Sequence, residues 1–259
     1  MPYQHHLQTS RFELKYLVDE SRVWAIREFV RCYLEPDEHT RAQLDNGYAV
    51  CSLYLDTSAL TLYRQTLRGL KNRFKLRIRF YDDMPDSPAF VEIKRRVVDV
   101  IRKDRVAITR DGVQRLLRGG WPTESEIVGE NGNAVPTSTI DHFCGLRDRI
   151  GADPSVYVSF LREAYVSPDS DQFRVTIDHN VRAGHYLPDS NLSWPSQQVK
   201  SNIDRVILEL KFTDRFAKWM HEMVRTFNLQ RCSVPKYVRC IDAVRLGGSY
   251  RSGFETRTA

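Results

Sequence analysis

Residues 75–81 read KLRIRFY, with Lys75, Arg77 and Arg79 alternating with Leu76, Ile78 and Phe80. Successive side chains of a β-strand project to opposite faces, so this stretch predicts a strand with one cationic face and one apolar face. The same period recurs outward in both directions. At 91–96, Glu92, Lys94 and Arg96 oppose Val91 and Ile93; at 11–16, Arg11, Glu13 and Lys15 oppose Phe12, Leu14 and Tyr16. Further along, Lys103 and Arg105 face away from Val106 and Ile108, Arg174 and Asp178 from Phe173, Val175 and Ile177, and Glu209 and Lys211 from Val206, Leu208 and Leu210. Segments 48–56 and 156–165 read as strands that alternate less cleanly.

Glu-x-Lys occurs three times in these strands, at 13–15, 92–94 and 209–211. Residues two apart on a strand share a face about 6.6 Å from each other, so each copy presents a carboxylate beside an ammonium. One solvated sheet face explains alternation in one or two strands. Charge at the same parity on most strands is different, because like charges would repel across the ladder unless counter-ions sit between them. Amphipathic helices are available to cover the apolar faces. Their stripes run through Val23, Trp24, Arg27, Phe29 and Val30, and through Phe216, Trp219, Met220, Met223, Val224 and Phe227, with shorter helices predicted over 111–118 and 141–149. Closing the sheet would turn the charged faces inward. Such an interior must stay wet, pair its cations with the glutamates, or hold a polyanion and a divalent metal, since isolated buried charges are costly. Arginine forks match phosphate oxygens, lysines act as point charges and clustered carboxylates bind hard cations such as Mg²⁺ or Mn²⁺. On this reading Glu13, Arg77, Arg79, Glu92, Lys94, Arg174, Glu209 and Lys211 project into one cavity, with Arg11, Lys75, Lys103 and Arg105 as further phosphate contacts.

The remaining sequence is consistent with a protein that handles anions. Its 259 residues are 41% hydrophobic, enough for one large core, and its net charge of +6 favours an anionic partner without identifying one. The five cysteines, at 32, 51, 144, 232 and 240, form no CxxC pair and read as reduced core residues. The N-terminus lacks the apolar segment of a signal peptide, and no stretch approaches the roughly 20 apolar residues of a membrane span. His5 and His6 read as part of a mobile terminus rather than a ligand pair. Segments 119–139 and 184–198 are loop-like, and the tail after Arg245 is polar.

In their order and spacing, RFELKY (11–16), SLYLDT with LYR (52–64), KLRIRFY (75–81), VEIKRR (91–96), KDRVAI (103–108), FLREAY (160–165), FRVTID (173–178), ILELKF (207–212) and SVPKYVRCID (233–242) resemble the VTC domain. This is the polyphosphate polymerase domain within the triphosphate tunnel metalloenzyme, or CYTH-like, superfamily, and the resemblance covers about residues 11–243. It implies an α+β fold, an antiparallel eight-stranded closed β-tunnel with helices packed on the outside, in a single domain over 1–259 with its core at 11–245. It implies that Lys15, Arg64, Arg77, Arg79, Lys94, Arg162, Arg174, Lys236 and Arg239 hold phosphates, with Lys15, Arg77, Arg79, Lys94 and Lys236 nearest the chemistry. Glu209 matches the metal-binding glutamate of the family, with Glu13 and Glu92 as neighbouring carboxylates for Mn²⁺ or Mg²⁺. Two departures stand out. Phe160 replaces a frequent tyrosine, and Arg11 stands where the hydrolase branch carries the first glutamate of Glu-x-Glu-x-Lys, which favours the polymerase-like branch.

The expected activity is therefore transfer of the γ-phosphate of ATP to a polyphosphate chain. The alternatives are hydrolysis of tripolyphosphate or a nucleoside triphosphate, and binding of such anions without turnover. Expected partners are ATP or another triphosphate and polyphosphate, with no nucleic acid. The expected location is cytoplasmic, leaving room for a membrane partner carried by another chain.

Overall fold

The computed structural model describes residues 10–43, 47–98, 100–129, 138–188 and 190–245. His5, His6, the tail after Arg245 and residues 130–137 of the first loop lie outside them. Strand β1 (Ser10–Val18) leads into helix α1 (Glu20–Arg31), then β2 (Glu35–Pro36), α2 (Glu38–Arg41), β3 (Tyr48–Asp56) and α3 (Thr61–Leu67). A meander of β4 (Asn72–Phe80), β5 (Ala89–Val97) and β6 (Val100–Ile108) follows, then α4 (Arg110–Leu117), β7 (Ile127–Val128) and α5 (Ser138–Ile150). The last part comprises β8 (Asp153–Val166), β9 (Phe173–His185), β10 (Gln198–Lys200), β11 (Val206–Phe212), α6 (Lys218–Thr226) and α7 (Lys236–Arg245). The fold is mixed α and β around one antiparallel sheet.

Among the described residues that sheet has eleven strands rather than eight, in the order β10-β9-β11-β1-β6-β5-β4-β3-β8-β2 with β7 beside β6. The three additional strands, β2, β7 and β10, are two or three residues long and too short to show a period in the sequence. β8 pairs with β9 as well as with β3.

The apolar parity of the strands forms two cores. On β3 to β6, Leu53, Leu76, Ile78, Phe80, Val91 and Ile93 are buried with Val113 and Leu116 of α4 and Phe143 of α5. On β1, β9 and β11, Tyr16, Val175, Ile177, Leu208 and Leu210 are buried with Val23, Ile26 and Val30 of α1 and Met220 and Met223 of α6. Both long stripes therefore pack as their spacing requires, although Trp24 projects outward and is 68% exposed. Ile26, which falls three residues after Val23, takes the inward position instead. Cys51, Cys144 and Cys240 are buried and no disulfide forms; Cys32 is exposed, unlike the core residue its sequence suggests.

Helix α7 departs from the expectation of helices on the outside. Its Tyr237, Cys240, Ile241 and Ala243 pack against Val50, Tyr54, Val156, Val158 and Phe160 of β3 and β8, and against Val181 and Ala183 of β9. These strand residues share parity with the charged positions, so α7 occupies the face that bears the charges further along. A bulge makes this possible. Ser159 pairs with Arg182 and Leu161 with His179, leaving Phe160 opposite two residues, one of them Asn180 with φ 51°. The extra residue shifts the parity of β9, so Arg174, Thr176 and Asp178 share a face with the later Val181 and Ala183. α7 is tied down by Tyr237, whose hydroxyl donates to Asp56 Oδ2 at 2.6 Å, while the backbone amides of Thr57, Leu62 and Tyr63 donate to the same carboxylate. Tyr237→Phe removes one bond from a buried acceptor and is expected to cost about 1–3 kcal/mol in urea denaturation, with the fold retained. An unchanged midpoint would show that this bond does not secure the helix.

Candidate functional site

The antiparallel register explains the repeated Glu-x-Lys. In the β1–β11 ladder Glu13 faces Lys211 and Lys15 faces Glu209, so two copies running in opposite directions make an alternating lattice of charge. In the meander, Glu92 of β5 lies between Arg77 of β4 and Arg105 of β6, while the next row, Lys75, Lys94 and Lys103, is cationic throughout. These rows border a cavity of about 920 Å³ lined, among the described residues, by sixteen Lys and Arg residues and three acidic ones, Glu13, Asp171 and Glu209.

One wall gathers the carboxylates. Lys15 Nζ lies 2.6 Å from Glu209 Oε1 and 3.0 Å from Glu13 Oε1, and Lys94 Nζ lies 2.9 Å from Glu13 Oε2. Glu209 also takes Lys211 at 2.7 Å and Lys236 at 2.9 Å. Lys236, brought in by the first turn of α7, reaches Asp178 at 2.5 Å, and Arg162 grips the same carboxylate through two bonds of 2.6 and 2.7 Å. Burial alone would raise the pKa of Glu209, but the charges of Lys15, Lys211, Lys236 and Arg162 outweigh it and hold the pKa well below the ordinary value. Asp178 is held down to about 2, with Arg162 and Lys236 overcoming its burial.

The opposite wall is almost purely cationic. Glu92 is fully buried behind it, 2.6 Å from Arg77, 2.7 Å from Lys103 and 3.7 Å from Arg105. Burial opposes its ionisation, yet Arg77, Lys103, Arg79 and Arg105 keep it ionised far below its ordinary range. One carboxylate cannot serve three cations equally: Lys103 is pushed well down by burial despite that contact, with Arg105 adding to the fall. Arg77 donates to Tyr54 at 2.9 Å and Arg79 to Ser52 at 3.2 Å, while Arg105 stacks 3.6 Å from the ring of Phe90. Lys75 has no carboxylate partner among the described residues, and burial with Lys94 and Lys15 nearby lowers its pKa strongly. Such a surface favours a polyanion, which supplies the charge the wall lacks.

Most expected positions converge. Glu13, Lys15, Lys75, Arg77, Arg79, Lys94, Lys103, Arg105, Arg162, Arg174, Glu209, Lys211 and Lys236 all line the cavity, with Arg174 also donating to Asp37 at 2.7 Å. Glu92 shares their parity but sits behind the wall. Arg64 is exposed on α3, and Arg239 lies on α7 away from the cavity lining. The Arg11 side chain lies outside the described residues. Phe160, where a tyrosine would add a hydroxyl, instead offers its ring 5.0 Å from both Arg162 and Lys236. Asp178, Lys71, Arg73, Arg96, Arg231 and Tyr54 were not anticipated at the site. The parity of FRVTID and of NRFKLRIRF places Asp178 and Arg73 on the charged face; Lys71 and Arg231 lie in connections, where no period operates.

Among the described residues no group of three or more acidic, His or Cys side chains could hold a metal. Mg²⁺, however, is commonly bound through one or two carboxylates completed by phosphate oxygens and water. Glu13 and Glu209 fit that use, since both already direct an oxygen at one cation, the Lys15 ammonium. Glu92 does not, because its ion pairs are a separate set.

Lys211 adds a titratable cation near neutrality. Burial lowers its pKa to about 7 even though Glu209, at 2.7 Å, favours its charge. The charged form binds an anion, so tripolyphosphate affinity is expected to fall as pH rises through about 7. With the unfolded pKa near 10.5, the unfolded chain binds more protons over that interval, so stability contributed by this group rises with pH from about 7 to about 10.5. Calorimetric titration of Lys211→Arg beside the parent from about pH 6 to about pH 9 separates this from titration of the ligand. An identical pH dependence in both proteins would remove Lys211 from the anion site.

The sequence pattern that defines the VTC domain matches residues 10–245. Three solved structures similar to this chain are proteins from Bacillus halodurans, Vibrio parahaemolyticus and Pyrococcus horikoshii. The first, described as a candidate adenylate cyclase, is 12% identical with a TM-score of 0.47, covering 88% of this chain and 95% of its own. The Vibrio protein, described in the same way, is 15% identical with a TM-score of 0.45, covering 90% and 98%. The Pyrococcus protein is 14% identical with a TM-score of 0.43, covering 91% and 98%. No curated protein matches the chain.

Proposed function

Since the chain belongs to the VTC domain family, we propose that it is a metal-dependent phosphotransferase that passes the γ-phosphoryl group of ATP to a polyphosphate chain. The observation that carries this reading is the cavity of about 920 Å³ with sixteen cationic residues against three acidic ones. We take the eight long strands as the wall of a tunnel, a reading supported by the two-sided pairing of each, including β8 with β9.

In this reading a phosphate-chain oxygen forms a bond to the γ-phosphorus while the β–γ bridging bond breaks and ADP leaves with the electron pair. Arg77, Arg79, Lys94, Lys15 and Lys236 hold the phosphoryl oxygens in line and offset the charge that spreads over them, which is most of what such a transfer requires. Arg162, fixed by its two bonds to Asp178, presents its remaining charge to the cavity. A divalent cation held by Glu13 and Glu209 would act as a Lewis acid on the phosphate oxygens. The proposed setting is a reducing, cytoplasmic compartment; among the described residues no helix is long and apolar enough to cross a membrane.

Purified protein is incubated with ATP and Mn²⁺ or Mg²⁺, and the products are resolved by gel and phosphorus NMR. Long-chain polyphosphate is the expected product. Stoichiometric orthophosphate without chains would replace polymerase with hydrolase, and binding without turnover under either metal would overturn the enzyme reading.

A further inference from the structure

Two adjoining turns at the edge of the cavity carry exposed apolar side chains. Residues 67–72, LRGLKN, are exposed without interruption, and Leu67 and Leu70 are 52% and 43% exposed. They adjoin the turn between β5 and β6, where Val97 and Val98 are 46% and 50% exposed. Asn72 pairs with Val97, and the Val98 amide donates to Lys71 O at 3.1 Å, so the two turns that carry these exposed apolar residues lie side by side. Val98 itself borders the cavity.

Three features of this patch call for a partner. Large apolar residues at an exposed turn are costly to leave in water, and they are clustered rather than scattered. Segments 67–75 and 94–103 contain nine Lys and Arg residues and a single acid, Asp99. Val98 has φ 55°, a left-handed conformation that a β-branched residue adopts only under strain and that Gly or Asn would adopt freely. The apolar side chain is thus kept at a position whose backbone disfavours it.

We propose that this rim docks on the surface of an anionic lipid bilayer, with Leu67, Leu70, Val97 and Val98 entering the headgroup region and Arg68, Lys71 and Arg102 meeting the lipid phosphates. Apolar tips flanked by cations suit this surface, because partitioning and charge attraction add. An acidic protein would satisfy the cations and a second copy the apolar tips, but the combination fits the bilayer. Docking places one edge of the cavity mouth against the membrane. This inference does not depend on the proposed reaction.

The test is co-sedimentation of the full chain with phosphatidylcholine vesicles, with and without phosphatidylglycerol, at low and high salt. Binding is expected only to the anionic vesicles and should weaken with salt. Val97→Ser/Val98→Asn is expected to lower partitioning at least about tenfold, and Arg68→Ser/Arg102→Ser to lower it while reducing its salt dependence. Asn relieves the strain at position 98, so the melting temperature of the first variant should hold or rise and misfolding cannot mimic the loss. No binding to anionic vesicles at low salt, or equal partitioning of the valine variant, would overturn the proposal. So would loss of vesicle binding on saturating the cavity with tripolyphosphate, which would mean that the cavity captures headgroups. A dimer in sedimentation that the valine variant converts to monomer would assign the rim to self-association instead.

Discussion

Glu209→Gln is expected to lower turnover by about two or more orders of magnitude, as follows when a charged clamp on a transferring phosphoryl group is lost. The substitution keeps the size and most of the hydrogen bonding of the side chain but removes the charge that Lys15, Lys211 and Lys236 surround at 2.6, 2.7 and 2.9 Å. It also removes one of the two carboxylates suited to a divalent cation. Anion binding without metal should survive or tighten, because a negative charge has left an anion site. Arg77→Ala gives the contrasting result: in the proposed reaction its guanidinium would contact phosphate in both ground and transition states, so affinity and turnover should fall together. Steady-state kinetics with a metal titration and calorimetry without metal separate the two patterns. Full metal-dependent activity in Glu209→Gln would remove that residue from the mechanism.

The largest effect on stability is expected at Glu92. It is 0% exposed and carries the ion pairs of Arg77, Lys103 and Arg105. Glu92→Gln leaves these cations half-buried with no carboxylate between them, a loss of about 3–5 kcal/mol, to be read from urea or thermal denaturation. The folded pKa lies well below the unfolded value of 4.5, so the stability from this group is complete above about 4.5 and disappears as pH falls towards the folded value. The variant should therefore also show a shallower acid limb. Tripolyphosphate should raise the melting temperature of Glu92→Gln more than that of the parent, because it supplies the missing charge by mass action. A variant as stable as the parent would mean that the cationic wall is relaxed by water, not by Glu92.

The two predictions draw on different amounts of legible sequence. Lys75, Arg77 and Arg79 could be placed on one face from KLRIRFY alone, since a one-residue slip would have turned Leu76, Ile78 and Phe80 to the charged side. The helices α1 and α6 were legible for the same reason at a different period. Arg64 and Arg239, which likeness of motif brings to the phosphates, are absent from the cavity lining: both lie on helices, where neighbours three or four residues away decide which way a side chain faces. The separation of Glu92 from Glu13 and Glu209 was equally hidden, because three identical Glu-x-Lys motifs give no sign of which strands will adjoin.

The sequence by itself determined the parity of each long strand, and with it the segregation of charge to one face and of Leu, Ile and Val to the other, because a period of two is a property of the strand backbone. The tertiary structure alone decided three things. Register set Glu13 against Lys211 and Lys15 against Glu209 while stacking Lys75, Lys94 and Lys103 in one cationic row. The bulge at Phe160 and Asn180 turned Val181 and Ala183 to the charged side of β9 and so made a seat for α7. Docking of that helix delivered Lys236 to Asp178 and Glu209 across a long gap in the chain. These arrangements depend on contacts between residues far apart in sequence, whose pairing no local period encodes.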